Sequence, residues 1–260
     1  MSGAEGPGVA PGRSPTVSII LATLNERQSL PPLVERICRQ PLPPFELIVV
    51  DDGSTDGTRE YLKDAAEKDR RIRLIFHEGK QTTLRAQCQG LAASSGQYLI
   101  IMDADLQHPP EVLSAIVERL KEGQALVVAS RYAPGGSAGP RTISRWAISR
   151  GAEWTAKFFL ASARRVSDPV SGYFGFRRET WVPLNPLYRG YKLLLFVLVM
   201  AEGKPVAEVG FRFEPRAEGA SKVTESSSFI RMFLVETLLA RRLAKALRSR
   251  PTAGTREQLL

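Results

Sequence analysis

Cysteine is nearly absent from this chain of 260 residues, which contains only Cys38 and Cys88. They are far apart and form no C-x-x-C motif, which argues against a disulfide framework and a cysteine zinc site. We therefore expect a reduced, intracellular protein. Histidine is as scarce, with two residues, so few groups are available for histidine acid–base catalysis.

Long apolar runs are also absent. The longest strongly apolar run, residues 193–201, has nine residues, about half of the roughly 20 that span a bilayer. Residues 1–15 are rich in glycine, proline, serine and alanine and lack the apolar segment of a signal peptide, so they predict a disordered arm. We expect no transmembrane span, which leaves a peripheral position on a membrane surface open.

Positive charge, in contrast, is in excess. The formal net charge of +9 indicates an anionic partner: a nucleic acid, a phosphorylated substrate or an acidic membrane surface. Aromatic residues make up 8% of the chain and are not interleaved with a basic run. This pattern argues against a nucleic-acid partner, and we predict only weak, unspecific binding of that kind.

Apolar runs alternate with helical patterns along most of the chain. Strands are predicted over 17–22, 45–50, 73–76, 98–102, 125–129 and 206–213. Helices are predicted over 58–69, 82–93, 112–120, 143–159, 191–202 and 227–248. This alternation predicts an α/β fold with a doubly wound, mostly parallel sheet. We assign 16–222 to this domain and 251–260 to a disordered tail.

Residues 223–250 contain a basic amphipathic helix. Its apolar side includes Phe233 and Leu243, and its polar side carries Arg241 and Lys245. Such a helix is typical of a membrane interface, and it is also compatible with a helix packed on the domain.

Two carboxylates, Asp103 and Asp105, directly follow the apolar run at 98–102. The carboxyl ends of parallel strands are where open α/β sheets bind ligands, and hard oxygen donors suit a divalent cation that also binds substrate phosphates. The alternative is that the two carboxylates cap the helix that Pro109 and Pro110 would begin.

A second acidic strand end occurs at Asp51 and Asp52, followed by Gly53. The acidic residue after the second strand of a nucleotide-binding unit commonly binds ribose hydroxyls. A plain strand-to-helix turn is the alternative, with Asp56 as the N-cap of the next helix.

Together with the Thr23-Leu24-Asn25-Glu26 turn, these motifs resemble the family-2 glycosyltransferases of the GT-A fold. The M-D-A-D-L-Q-H-P segment at 102–109, S-R-Y at 130–132, D-P-V-S-G at 168–172 and R-A-E-G-A-S-K at 216–222 resemble the dolichol-phosphate (polyprenol-phosphate) mannosyltransferases of that family. The resemblance extends from about residue 17 to residue 222. It implies transfer of mannose from GDP-mannose to a dolichyl or polyprenyl phosphate, with inversion, on the cytoplasmic face of a membrane.

The resemblance also implies site residues. Donor contacts fall on Ala22, Leu24, Glu26, Asp52, Asp103, Ala104, Arg131, Arg216 and Lys222. Mg²⁺ or Mn²⁺ would bind to Asp103, Asp105 and Gln107, and the acceptor phosphate to Arg145 and Ser149. Catalytic roles fall on Asp105, Arg131, Arg145 and Arg216. A direct proton-transfer role for His108 is not required, because the acceptor phosphate, with a second pKa of about 6, is already ionised near neutral pH.

Three positions depart from the family pattern: Thr82-Thr83-Leu84 replaces a glycine-rich turn, Phe196 an acidic residue, and Gly210 a proline. None lies in the metal motif, so they bear on the choice of sugar more than on the reaction. UDP-glucose or UDP-N-acetylglucosamine as donor, or another acceptor, stays open. A non-catalytic, nucleotide-binding membrane scaffold is the alternative from another class of protein.

Overall fold

In the described part of the chain, seven strands form one sheet. The computed structural model describes residues 15–79, 81–139, 143–185, 188, 190–214 and 227–249, without the side chains of 143–146 and 227–229. The strands are β1 (Val17–Thr23), β2 (Phe45–Asp51), β3 (Ile72–Phe76), β4 (Tyr98–Asp103), β5 (Leu126–Ser130), β6 (Phe174–Arg177) and β7 (Val206–Gly210). Their order is β3-β2-β1-β4-β6-β5-β7, and only β6 runs antiparallel to its neighbours. The predicted doubly wound, mostly parallel sheet is confirmed.

Helices cover both faces of this sheet. They are α1 (Leu30–Cys38), α2 (Thr58–Lys68), α3 (Thr83–Ala93), α4 (Leu113–Lys121), α5 (Ile143–Phe159), α6 (Leu193–Met200) and α7 (Ser227–Arg248). Alternate residues of a strand point to opposite faces, so Ile19 and Leu21 pack with α1 and α4, whereas Ile20 packs in the cluster that contains α3 and α6. Burial on both faces explains why the strands are continuous apolar runs.

The C-terminal helix α7 is part of the core cluster that contains α3 and α6. Phe233 and Leu243 are buried with the apolar residues of α6, while Ile230, Leu234 and Leu238 on the same helix are exposed. The helix is therefore packed on the domain and still presents an apolar stripe to solvent. Among the described residues, none of the helices is both long enough and apolar enough to cross a membrane.

Some predicted boundaries are corrected by the structure. The last strand ends at Gly210 instead of residue 213. The loop after β5 packs against this end so closely that a Cβ at Gly210 would lie 2.1 Å from the Pro134 carbonyl oxygen. Phe211 N–H still donates to the Ser130 carbonyl of β5 over 3.1 Å, and its own carbonyl accepts the Ser137 N–H of the preceding loop over 2.9 Å. The N-cap of α2 is Gly57, at φ +89°, and not Asp56.

Helix α6 is also shorter than the predicted 191–202. The predicted tail, the 216–222 motif and all but residue 15 of the predicted arm lie outside the described residues.

Candidate active site

The carboxyl ends of β1, β2 and β4 meet at one edge of the sheet. In the parallel register Ala22 lies opposite Asp103, and Thr23 lies opposite Asp51. The two acidic strand ends that are about 50 residues apart in sequence are thus separated by one strand. We call this the catalytic edge.

The predicted metal ligands lie on one sharp turn. Leu106 has φ +64°, a left-handed conformation that few non-glycine residues adopt. Gln107 N–H donates to Asp105 Oδ1 over 3.2 Å, and Asp105 is buried while the Asp103 side chain is 46% exposed. The helical segment that begins at Pro110 has no side-chain cap. The helix-cap alternative is therefore wrong.

His108 fixes this turn from beneath. Its Nδ1 accepts the Asp103 backbone N–H over 3.0 Å, and its ring stacks on Tyr173 at a centroid separation of 5.1 Å. Burial lowers the pKa of His108, which keeps the imidazole neutral and able to accept. Its role in this geometry is structural.

The donor set of the turn fits a hard divalent cation. Gln107 Nε2 donates to the Glu214 carbonyl over 3.4 Å. This bond fixes which end of the side-chain amide is the nitrogen, and the amide oxygen points away from Glu214. Two carboxylates and an amide oxygen are the ligands that Mg²⁺ and Mn²⁺ prefer. Within the described ranges, no three acidic, histidine or cysteine side chains converge as a metal cluster. Substrate oxygens would therefore have to complete the coordination shell.

The β1 and β2 turns are tied together by side-chain bonds to backbone. Asn25 N–H donates to Ser54 Oγ over 2.8 Å, and Thr55 N–H donates to Asn25 Oδ1 over 2.8 Å. Glu26 N–H donates to Thr58 Oγ1. These bonds place Leu24 and Glu26 beside the loop that follows Asp52.

Asp51 and Asp52 have different surroundings. Asp51 Oδ2 accepts from Arg59 Nε over 2.6 Å and from the N–H of Ser54 over 3.1 Å, which makes it a structural residue of the turn. Asp52 accepts the Gln81 N–H with both oxygens, each at 2.9 Å. Its predicted contact with the nucleoside stays a prediction. Gln81 follows no recognisable motif, and only the tertiary structure reveals it.

Arg131 lies at the same edge, after β5. Its guanidinium forms a two-pronged ion pair with Asp168, with Nε–Oδ2 at 2.6 Å and Nη2–Oδ1 at 2.8 Å. Burial alone would lower the pKa of Arg131, but the Asp168 carboxylate more than offsets it and raises the pKa. The sequence predicts no role for Asp168 itself, although the residue belongs to the D-P-V-S-G motif.

The middle of α5 is anchored to the same corner. Tyr132 Oη donates to Glu153 Oε1 over 2.7 Å, and Ser149 Oγ donates to that oxygen over 3.4 Å. Arg145 lies on α5 one helical turn before Ser149, but its side chain is outside the described part of the structure. Arg216 and Lys222 are outside it altogether.

Residues 18–181 match the sequence pattern of Glycosyl transferase family 2. The chain therefore belongs to this family and is a glycosyltransferase. Its relatives include the dolichol-phosphate mannosyltransferase of Pyrococcus furiosus, with 37% identity over 82% of this chain and 60% of that protein. This chain thus spans about 60% of the length of that relative.

Other relatives match over more of their own length. The dolichol-phosphate mannosyltransferase of Saccharomyces cerevisiae is 34% identical over 80% of each chain. The polyprenol monophosphomannose synthase of Mycolicibacterium smegmatis is 31% identical over 84% of each chain. The predicted resemblance to dolichol-phosphate mannosyltransferases is confirmed.

Among solved structures, glucosyl-3-phosphoglycerate synthase from Mycobacterium tuberculosis, crystallised with Mn²⁺, UDP and glucosyl-3-phosphoglycerate, has a TM-score of 0.67 at 23% identity. The match covers 88% of this chain and 80% of that chain. At this identity the likeness concerns the fold, and it confirms the predicted GT-A class.

Proposed function

We propose that this chain transfers mannose from GDP-mannose to the phosphate of a polyprenyl or dolichyl phosphate. The observation that carries the proposal is the juxtaposition, at one sheet edge, of the Asp103-Asp105-Gln107 turn with the Arg131–Asp168 ion pair. This arrangement offers hard oxygen ligands and a fixed cation to a substrate with several phosphates. The mannosyltransferase relatives support the choice of sugar and acceptor.

The acceptor phosphate is the nucleophile in this reaction. One of its oxygens forms a bond to the mannose anomeric carbon while the bond from that carbon to the diphosphate breaks, so the configuration inverts and GDP leaves. The oxygen is ionised near neutral pH, and no side chain has to remove a proton. This agrees with the structural role of His108.

The protein's own contribution is positioning and charge. Asp168 fixes the Arg131 guanidinium in one orientation, so that its remaining N–H groups can bind phosphate without further loss of side-chain freedom. Ser149 and Arg145 would bind the acceptor phosphate from α5. A divalent cation, Mg²⁺ or Mn²⁺, held by Asp103, Asp105 and Gln107 would supply neutralisation of the leaving diphosphate.

The lipid acceptor suggests where the protein works. Trp154 and Phe158 lie one turn apart on α5 and are 70% and 75% exposed, and α5 packs against α7 with its exposed stripe of Ile230, Leu234 and Leu238. Exposed aromatic and aliphatic side chains on neighbouring helices are typical of a membrane-contacting surface. We place this surface on the cytoplasmic face of a membrane, as a peripheral contact.

Donor selection tests the proposal. The purified chain is incubated with Mg²⁺ or Mn²⁺, a polyprenyl phosphate and, separately, GDP-mannose, UDP-glucose and UDP-N-acetylglucosamine, and the lipid product is identified by mass. We expect a lipid-phosphate-linked hexose from GDP-mannose alone. A product from a UDP-sugar would contradict the proposed donor, and no product from any donor would contradict the acceptor.

A further inference from the structure

A carboxylate from the C-terminal helix is buried against the segment that precedes α6. Glu236 is 1% exposed, although it lies on a helix with a solvent-facing side. Its Oε1 accepts the backbone N–H of Lys192 over 2.8 Å and also that of Tyr191. These N–H groups precede the first residue of α6, so Glu236 fixes the chain where that helix begins.

The segment 190–192 is held from its other side as well. Leu84, in the first turn of α3, donates its N–H to the Gly190 carbonyl over 3.0 Å. A Cβ at Gly190 would lie 1.9 Å from Glu236 Oε1, so only glycine permits this approach of the carboxylate. The backbone here is therefore clamped between α3 and α7.

This clamp directs the Lys192 side chain toward the active site. The ammonium Nζ donates to the Val170 carbonyl over 2.9 Å, within the loop that carries Asp168. In the same loop a Cβ at Gly172 would lie 2.8 Å from Asp103 Oδ2. Lys192 thus contacts this loop at Val170, and Asp103 of the metal motif lies against the same loop at Gly172.

The electrostatic surroundings of the ammonium are those of the reacting centre. The charges of Asp103, Arg131, Glu236 and Asp168 all act on it. An ammonium has three N–H donors, and the bond to Val170 is the one seen toward described residues. The residue is partly exposed, but burial of the ammonium lowers its pKa, so a phosphate that accepts from its two remaining donors would supply a counter-charge.

We infer that Lys192 binds a phosphate oxygen of the donor or the acceptor at the catalytic edge, and that Glu236 is the positioning residue that aims it. The inference rests on the proposed function, since it assigns Lys192 to the same reaction. A compact cation binds the oxygens of a diphosphate and of a phosphate monoester in the same way. The experiments below therefore distinguish the donor from the acceptor.

The first experiment compares Lys192→Met and Lys192→Arg with Lys204→Met. Lys204 lies beyond the other end of α6, and its Nζ also donates to a backbone carbonyl, that of Glu179, so it is a matched control remote from the catalytic edge. Binding of GDP with Mn²⁺ and of a short-chain polyprenyl phosphate is measured by calorimetry, and transfer is measured with each substrate varied in turn.

We expect Lys192→Met to weaken one of the two ligands by at least about tenfold and to lower the transfer rate by about 10²-fold, as loss of one charge-stabilising donor does. Lys192→Arg should recover part of both, and Lys204→Met should match the wild type. Weakened GDP binding identifies the donor, and weakened polyprenyl-phosphate binding identifies the acceptor. If neither ligand is weakened and transfer is unchanged, the role of Lys192 is overturned.

The two proposals fail differently. If the wild type transfers no mannose, the proposed function is wrong, and the two binding measurements still decide the role of Lys192.

The positioning role of Glu236 needs its own variants. Glu236→Gln retains an oxygen that can accept both N–H groups, whereas Glu236→Asp withdraws it by one methylene and Glu236→Leu removes it. We expect Glu236→Gln to keep the affinity for both ligands. Glu236→Asp and Glu236→Leu should weaken the same ligand that Lys192→Met weakens. Combining either of them with Lys192→Met should weaken that ligand little further. Folding is checked by thermal unfolding. A folded Asp or Leu variant with unchanged affinity for both ligands would overturn the positioning role.

Discussion

The carboxylates of the metal-binding turn differ in their surroundings. Asp105 is buried and Asp103 is half-exposed, so a ligand or ion arriving from solvent meets Asp103 first. Removal of either carboxylate should affect chemistry more than folding, because the turn is held by His108 and by backbone bonds.

We expect Asp105→Ala to reduce metal-dependent transfer to background while the protein remains folded. The variant loses one of two charged ligands for the cation. Transfer is measured with a saturating nucleotide sugar, and folding by circular dichroism. Asp64→Ala, at an exposed position of α2, is the control and should keep wild-type activity. Full activity of Asp105→Ala would contradict the metal site.

The ion pair of Arg131 with Asp168 predicts a large effect on stability. Asp168→Asn would leave a buried guanidinium without its counter-charge, which typically costs about 3–5 kcal/mol. We expect the free energy of unfolding in urea to fall by that amount. Glu118→Gln removes a carboxylate from the exposed pair with Lys121 and should change it by less than about 1 kcal/mol. Equal effects of the two substitutions would show that Asp168 is not a buried partner.

Glu236 predicts a pH dependence of stability. Burial raises its pKa to about 7 from 4.5, so the folded state holds a proton that the unfolded state has released between these two pH values. Stability should therefore fall as the pH rises from 4.5 to about 7 and then level off. Relative to Glu236→Gln, which has no such proton, the wild type should lose on the order of 3 kcal/mol. Urea unfolding of both proteins at the two ends of this range measures the difference, and a constant difference would contradict the shift.

Among the elements, α7 is packed on the domain and also presents apolar side chains to solvent. Phe233 and Leu243 join the core, and Ile230, Leu234 and Leu238 remain outside. The amphipathic pattern alone could not separate these two sets, because residues 233 and 234 are both apolar and adjacent. Packing against α5 and α6 decides which of them is buried.

The exposed stripe predicts how α7 contributes to membrane contact. We expect the triple substitution of Ile230, Leu234 and Leu238 by serine to weaken association with liposomes by about tenfold or more, because burying each side chain contributes roughly 1.5–3 kcal/mol. Deleting the chain from Ser227 onward should also weaken association, but it removes core residues as well. Cosedimentation with liposomes measures both.

The control for this experiment places three serines on the exposed side of α2, at Lys63, Asp64 and Glu67. It should bind liposomes as the wild type does. Unchanged binding of the α7 variant, with an unchanged unfolding temperature, would contradict the interface.

For the molecule as a whole, the parallel strands were the most predictable part of the fold. The runs at 45–50 and 98–102 are too apolar for any position except the middle of a sheet, and their acidic ends predict the catalytic edge. The direction and place of β6 were not predictable. Its four residues carry no signal for insertion between β4 and β5, which depends on how the whole sheet closes.

The partners of the site residues were likewise beyond the sequence. Residue types indicated Arg131 and Asp103, but the pairing of Arg131 with Asp168 joins residues 37 positions apart. Glu236 lies in a helix with an ordinary amphipathic pattern, and its burial follows from the tertiary contacts of α7 with the segment 190–192.

The net charge of +9 predicts that membrane association depends on salt. Cationic side chains near an anionic surface each contribute about 1 kcal/mol, and screening reduces this contribution. We expect binding to anionic vesicles to weaken by more than tenfold between roughly 0.05 M and roughly 0.5 M salt, and binding to neutral vesicles to change little. Cosedimentation measures both, and salt-independent binding to the anionic vesicles would contradict this expectation.

The cover that α7 places over α6 has a consequence for biosynthesis. All eight side chains of α6 are buried, partly by a helix that the ribosome makes later. At 5–20 residues per second, synthesis of the 48 residues from Met200 to Arg248 takes about 2–10 s. During that interval the nascent chain has an apolar helix without its final cover. Chaperones that bind exposed apolar segments should therefore contact this protein late in translation and release it only after α7 has emerged.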